Sequence, residues 1–276
     1  MQIKDFIQVN SDVNKFVFER CPKCGAIHPR LLKGGYTSKG KQMLRCTECN
    51  KRFVVDSGQL TFYSHQDQAK WNDLIIDTEE DSSLKSTAAK LNINEMTVFR
   101  MRHKYLRFLE ELESPYILEG QIELDEKYFP RNHKGQKIEN IKSKKRGEPA
   151  SKRGLSDEQV CVLTGIERFG KAVVHAFNMA RPKSQDILNL EKYIQEKSNI
   201  WTDGLTSYRE LIDKKHCILK VVKTKQEYDV INHLNNVNSF YSKMESAYSR
   251  YKGVASKYIN RYTALFEMRK RICRYG

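Results

Sequence analysis

The chain has 276 residues, 39% of them hydrophobic, which is enough for one large domain or for a catalytic domain with small appendages. Its net charge of +15 favours a polyanionic partner, nucleic acid ahead of an anionic membrane. No apolar run approaches the roughly 20 residues that span a bilayer. The opening MQIKDFIQVNSDVNKF mixes charges into its apolar residues, so a signal-peptide core is not expected and the protein reads as cytoplasmic and nucleoid-associated.

Residues 1–62 carry two cysteine pairs, CPKC (Cys21, Cys24) and CTEC (Cys46, Cys49), with 21 residues between them. Paired C-x2-C knuckles let four thiolates converge tetrahedrally on one structural zinc, and this spacing predicts a zinc ribbon. Gly25 suits the tight turn after the first knuckle, and Asn50 occupies the equivalent place after the second. Cys161, Cys217 and Cys273 stand alone and read as small buried hydrophobes or unpaired thiols.

Residues 63–115 are expected to be helical and to contain a helix-turn-helix over 84–109. Ala88, Ala89 and Leu91 give the first helix an apolar face, and Leu91-Asn92-Ile93-Asn94 supplies the turn. Asn94 can cap the second helix, where Val98, Met101 and Tyr105 repeat with helical spacing and face inward. Thr97, Arg100, Lys104 and Arg107 are then left outward as candidate DNA contacts. The other reading of the same residues is an ordinary helical hairpin with a solvated basic face.

After Ser114-Pro115 the composition turns to Val- and Ile-rich strands. Residues 116–276 predict strands at 117–129, 159–168 and 171–178, then a helix at 184–197, a strand at 199–203, a helix at 205–214, a strand at 218–223, and a helix from about Asn235. That order gives a mixed sheet with helices on its faces. A basic insert, 131–153, interrupts it; Lys144, Lys145 and Arg146 are its candidate DNA contacts.

Three residues in this region are candidate ligands. In IELDEKYF, alternation puts Glu123 and Asp125 on one face and Ile122 and Leu124 on the other; a central strand seldom aims two acids at a covered face without a reason. Glu126 should point the opposite way. Asp203, in NIWTDGL, either caps a turn or binds a metal at the strand end. Asn238 follows after 34 intervening residues, near a helix start. Two carboxylates and a later helical oxygen donor can converge on two divalent cations, Mg²⁺ or Mn²⁺, for in-line phosphoryl transfer.

The succession ELDEKYF, KRGLSDEQVCVL, TDGLTSYREL and HLNNVNSF…YKGVASKYINRY resembles bacterial insertion-sequence transposases of the ISXO type. These pair a zinc ribbon with an RNase H-like DDE catalytic domain. The resemblance covers nearly the whole chain and implies that Asp125, Asp203 and Asn238 are the catalytic metal ligands, with Asn where many members carry Glu. It implies excision and insertion of DNA bounded by inverted repeats, and at least a homodimer on double-stranded DNA. Members usually carry Lys seven residues after the third ligand; here that position is Glu245, and Lys243 falls on a different helix face. The rival expectations are a DNA-binding regulator with impaired catalysis and an RNase H-like nuclease that cuts without joining.

Overall fold

The computed structural model describes residues 20–55, 57, 60–62, 64–111, 117–136, 158–177, 182–222, 231–251 and 253–272. Lys144, Lys145 and Arg146 and most of the basic insert lie outside the described residues. The chain divides into two units, 1–76 and 77–276.

In the first unit three short strands, β1 (Leu31–Tyr36), β2 (Gln42–Cys46) and β3 (Arg52–Val54), form an antiparallel sheet in the order β1-β2-β3. Its small core is Cys21, Leu44, Cys46 and Phe53, so two of the four central residues are thiols. Helix α1 (Gln68–Glu79) begins in this unit, where Trp71 is buried and donates its indole N–H to Ser64 Oγ at 2.9 Å.

The second unit opens with α2 (Leu84–Leu91) and α3 (Glu95–Glu111), joined by the three residues 92–94. Asn92 takes the left-handed conformation (φ 51°) that ends α2, and Asn94 Oδ1 accepts the N–H of Met96, two residues into α3. Val98, Met101 and Tyr105 are buried. The apolar face of α2 is not the expected one. Thr87 is buried beside Ala88 and Leu91, whereas Ala89 is exposed. The phase is set by Arg102 of α3, itself 1% exposed, whose Nη2 donates to Thr87 Oγ1 at 3.4 Å.

In the sheet of this unit, β5 (Gln159–Glu167) is buried along nearly its whole length because QVCVLTGIE is covered on both faces. Beside it run β4 (Gln121–Pro130) and β6 (Ala172–Phe177), both antiparallel to it; β7 (Asn199–Thr202) pairs parallel with β4, and β8 (Ile218–Val221) parallel with β7. The order is β6-β5-β4-β7-β8. Numbered within the sheet this is 3-2-1-4-5: a mixed sheet, as the order of strands and helices predicts, in the RNase H-like arrangement that the resemblance implies. Gly165 lets β5 lie close to its neighbours, since a Cβ there would meet Leu118 Cδ1 at 2.9 Å and Leu124 Cδ2 at 3.0 Å.

Helices cover both faces. On one, α4 (Ser184–Leu188) and α5 (Arg209–Lys214) pack with Ile122, Leu124, Leu163 and Tyr208. The other receives α6 (Asn235–Arg250), and α7 (Ile259–Ile272) packs against β6 and α3. Asn260 of α7 accepts the N–H of Ala176 at 2.9 Å and donates to its carbonyl at 3.4 Å, closing part of the exposed edge of β6. Two predicted helices are shorter than expected, and that over 205–214 is α-helical only from Arg209, after a 3-10 turn at Thr206–Tyr208. The helix expected over 184–197 ends at Leu188, and a single 3-10 turn, Glu191–Tyr193, follows. Ile194 instead bridges Leu118 in parallel fashion, with Leu118 N donating to Tyr193 O and Gln195 N to Leu118 O.

Candidate active site and metal centre

The four paired cysteines form one cluster whose sulfurs all lie within 4.8 Å of one another. Gly25 (φ 76°) and Asn50 (φ 55°) both take the left-handed turn that closes a knuckle, so the two halves match in backbone although only one uses glycine. Against the upward push of burial, backbone N–H groups of Lys23 and Cys24 and the neighbouring thiols bring the Cys21 thiol down to about 7. A closed set of four soft sulfur donors at this separation fits zinc.

On β4, Glu123 and Asp125 face one way and Glu126 the other, where its carboxylate accepts the hydroxyl of Tyr208. The parallel register pairs Glu123 with Trp201; Asp125 and Asp203 each lie two residues further along, and the charge of Asp203 reaches the Asp125 carboxyl. Burial raises the Asp125 carboxyl to about 7, and the negative charges of Glu126 and Asp203 reinforce the rise. Asp203 is exposed; its Oδ1 accepts Leu205 N at 3.0 Å and the Thr202 hydroxyl at 3.3 Å. Gly204 (φ 92°) makes this turn, and a Cβ there would strike Val221 Cγ1 at 2.8 Å. One oxygen of Asp203 thus holds the turn, while the residue stays exposed at the end of β7.

Asn238 is exposed on the first turn of α6. This helix has no side-chain cap of its own at Leu234. Its end is held by Glu123, fully buried, whose Oε2 accepts Asn236 N at 2.9 Å and Val237 N at 3.0 Å while Oε1 accepts Asn236 Nδ2 at 2.9 Å. A carboxylate at a helix N-terminus satisfies otherwise orphaned N–H groups and complements the helix dipole. One turn on, Tyr241 donates its hydroxyl to Asp125 O at 2.7 Å and to Val162 O at 3.2 Å. Further along, Glu245 pairs with Lys127 at 2.8 Å. Nine helical residues at about 1.5 Å each match four strand residues at about 3.3 Å each, so α6 lies along β4. Asn238 therefore falls alongside the step from Glu123 to Asp125. Two carboxylates and an amide oxygen are hard donors, and this set suits Mg²⁺ or Mn²⁺.

The residue that sequence reasoning passed over is Glu123. Its alternation with Asp125 marks the strand face as unusual, but its ion-pair partner Arg168 lies 45 residues away, just past the end of an apolar strand. Arg168 Nε donates to Glu123 Oε1 at 3.1 Å, with both side chains almost wholly buried. Among the outward candidates of α3, Arg100, Lys104 and Arg107 are exposed and Thr97 is half-buried; Arg107 pairs with Glu111 at 2.8 Å. Among the described residues, no helix is long and apolar enough to cross a membrane.

No curated protein matches the chain. Among solved structures it is similar to a pre-cleavage Mos1 transpososome, at 10% identity and a TM-score of 0.33, covering 76% of this chain and 73% of that one. It is also similar to a simian T-cell lymphotropic virus intasome in complex with the PP2A regulatory subunit B56 gamma, at 7% identity and a TM-score of 0.33, covering 70% and 67%. Likenesses this distant carry no inference about chemistry. The family model is another matter: that of the ISXO2-like transposase domain matches residues 117–270, more than half of the chain and all three candidate ligands, and the chain belongs to this family of transposases.

Proposed function

We propose that this transposase binds the ends of an insertion sequence and carries out metal-dependent strand cleavage and strand transfer. The observation that supports the reading most is the parallel pairing of β4 with β7, the strands that lead to Asp125 and Asp203, together with the anchoring of α6 to β4. In this reading Asp125, Asp203 and the neutral amide oxygen of Asn238 would hold the catalytic ions. Magnesium or manganese held there would activate a water or a 3′-hydroxyl and stabilise the leaving oxygen. Tyr241 keeps the backbone of Asp125 fixed, and the turn bond to Leu205 orients the Asp203 carboxylate. Residues 1–62, with zinc on Cys21, Cys24, Cys46 and Cys49, and residues 63–115, through Thr97, Arg100, Lys104 and Arg107, would recognise the ends. Residues 116–276 would perform the chemistry, with Lys144, Lys145 and Arg146 on the DNA backbone. Joining two ends to a target calls for a homodimer or larger assembly on DNA, working in the cytoplasm.

The test uses a labelled duplex carrying the element end. With Mg²⁺ or Mn²⁺ the parent protein should nick it and join the freed 3′-hydroxyl to a second duplex. Asp203→Ala should lose both activities while binding the end nearly as before. A parent that binds ends but never nicks them at any metal concentration would instead be a regulator. That reading draws on Asn238 in place of a carboxylate and on Glu245, an acid on the ligand-bearing helix that pairs with Lys127. Cutting without joining would indicate a nuclease.

A further inference from the structure

Each element that carries a proposed ligand is fastened two residues ahead of it: β4 at Glu123 before Asp125, β7 at Trp201 before Asp203, and α6 at Asn236 before Asn238. One side chain touches the first two anchors and the chain just ahead of the third. Arg168, in the turn after β5, donates from Nε to Glu123 Oε1 at 3.1 Å and from Nη2 to His233 O at 3.0 Å, and its guanidinium lies 3.9 Å from the centroid of the Trp201 ring. Glu123 holds Asn236 and Val237 through their N–H groups. Trp201 Nε1 donates to Asn232 Oδ1 at 3.2 Å, tying β7 to the segment that leads into α6. The ring of His233 completes the group, 3.4 Å from Glu123 Oε1.

A carboxylate and a guanidinium withdrawn from water gain little over a well-packed apolar pair, so adhesion alone does not account for them. A planar fork that bonds in one plane and stacks on an indole does fix direction and distance. We propose that Glu123 and Arg168 are positioning residues, a buried clamp that sets the spacing of Asp125, Asp203 and Asn238 and thereby the site's affinity for its divalent ions. The inference rests on the catalytic reading of those three residues. Neither member of the clamp touches the reacting atoms.

The experiment compares the full-length parent with Arg168→Lys, which keeps the charge but loses fork and stacking, and Trp201→Phe, which keeps the ring face and loses the N–H to Asn232. Mn²⁺ binding is followed by electron paramagnetic resonance, end cleavage is titrated with Mg²⁺, and duplex binding is measured in EDTA. Residues that orient metal ligands typically account for about 10- to 100-fold in affinity. Arg168→Lys should accordingly weaken Mn²⁺ binding about tenfold and move the Mg²⁺ midpoint by a similar factor. Its rate at saturating metal should return to within about threefold of the parent, and duplex binding should be unchanged. Trp201→Phe should shift the same quantities in the same direction by less. Unaltered Mn²⁺ affinity in both variants, or a rate loss that saturating metal does not restore, would overturn the clamp and leave a structural role. Should Arg168→Lys not fold, Trp201→Phe alone decides, with unaltered Mn²⁺ affinity counting against the proposal. Asp203→Ala separates the two layers. If it binds Mn²⁺ as the parent does, the catalytic reading itself fails. If it loses binding while the clamp variants keep theirs, only the clamp does.

Discussion

Asp203 condenses the residue-scale problem, because its two oxygens can do different things. Asparagine has the same shape and keeps an oxygen for the Leu205 N–H, so Asp203→Asn should preserve the turn and shift the melting temperature by no more than about 2 °C. It removes the charge that a cation needs, and end cleavage should fall at least about 100-fold. Cleavage that persists in this variant would assign Asp203 to the turn alone. His103 offers a second test away from the site. It is buried between the rings of Phe99 and Tyr258, and its Nδ1 lies 3.4 Å from Arg261 Nη1. Burial lowers its pKa from 6.5 to about 4, helped by the charges of Arg261, Arg102 and Lys257. The folded state therefore resists a proton that the unfolded chain accepts. Stability is complete above pH 6.5, declines as the pH falls towards 4, and then levels. His103→Gln cannot titrate, so between pH 6.5 and 4 its melting temperature should fall less than the parent's; parallel curves would mean the ring is protonated when folded.

Elements were legible in the sequence where a local signal fixes them. The alternation of IELDEKYF and the Val- and Ile-rich stretch of β5 reveal two strands, and Asn94 reveals the start of α3. Asn94→Ala should cost about 1 kcal/mol in chemical denaturation, because the Met96 N–H loses its acceptor. A change within error would mean that water replaces it without loss. Where the decisive partner is distant, the same reasoning ran short. The start of α6 has no capping residue because Glu123 of another element serves it. The expected helix over 184–197 has sound helical spacing at Ile187, Leu190 and Ile194, yet its second half is drawn into pairing with Leu118. In α2 the buried Arg102 selects Thr87 over the more apolar Ala89, which hydropathy alone could not foresee.

At the scale of the molecule, the strand order β6-β5-β4-β7-β8 makes neighbours of β4 and β7, the strands that lead to Asp125 and Asp203. A mixed sheet could be read from the succession of strands and helices, whereas the central place of β4 depends on pairings across some 80 residues. The division into two units has its own consequence. In the first, the three-stranded sheet packs on Cys21, Leu44, Cys46 and Phe53, two of them thiols of the cysteine cluster, and a sheet this small would draw much of its folding energy from a metal held there. The second has an apolar core of its own around Ile122, Leu163 and Ile200, built without any of those thiols. Cys24→Ser alters the exposed corner of the cluster and leaves the buried Cys21 and Cys46 in place. It should lower the zinc content measured by atomic absorption and remove or weaken the calorimetric transition of residues 1–76. The transition of residues 77–276 should stay within about 2 °C of the parent's. Because the proposed ligands all belong to the second unit, Mn²⁺ binding there should persist, while affinity for an end-containing duplex falls. Should both transitions drop together, the thiol-bound metal would be stabilising the chain as a whole, and end recognition could not be separated from catalysis by removing it.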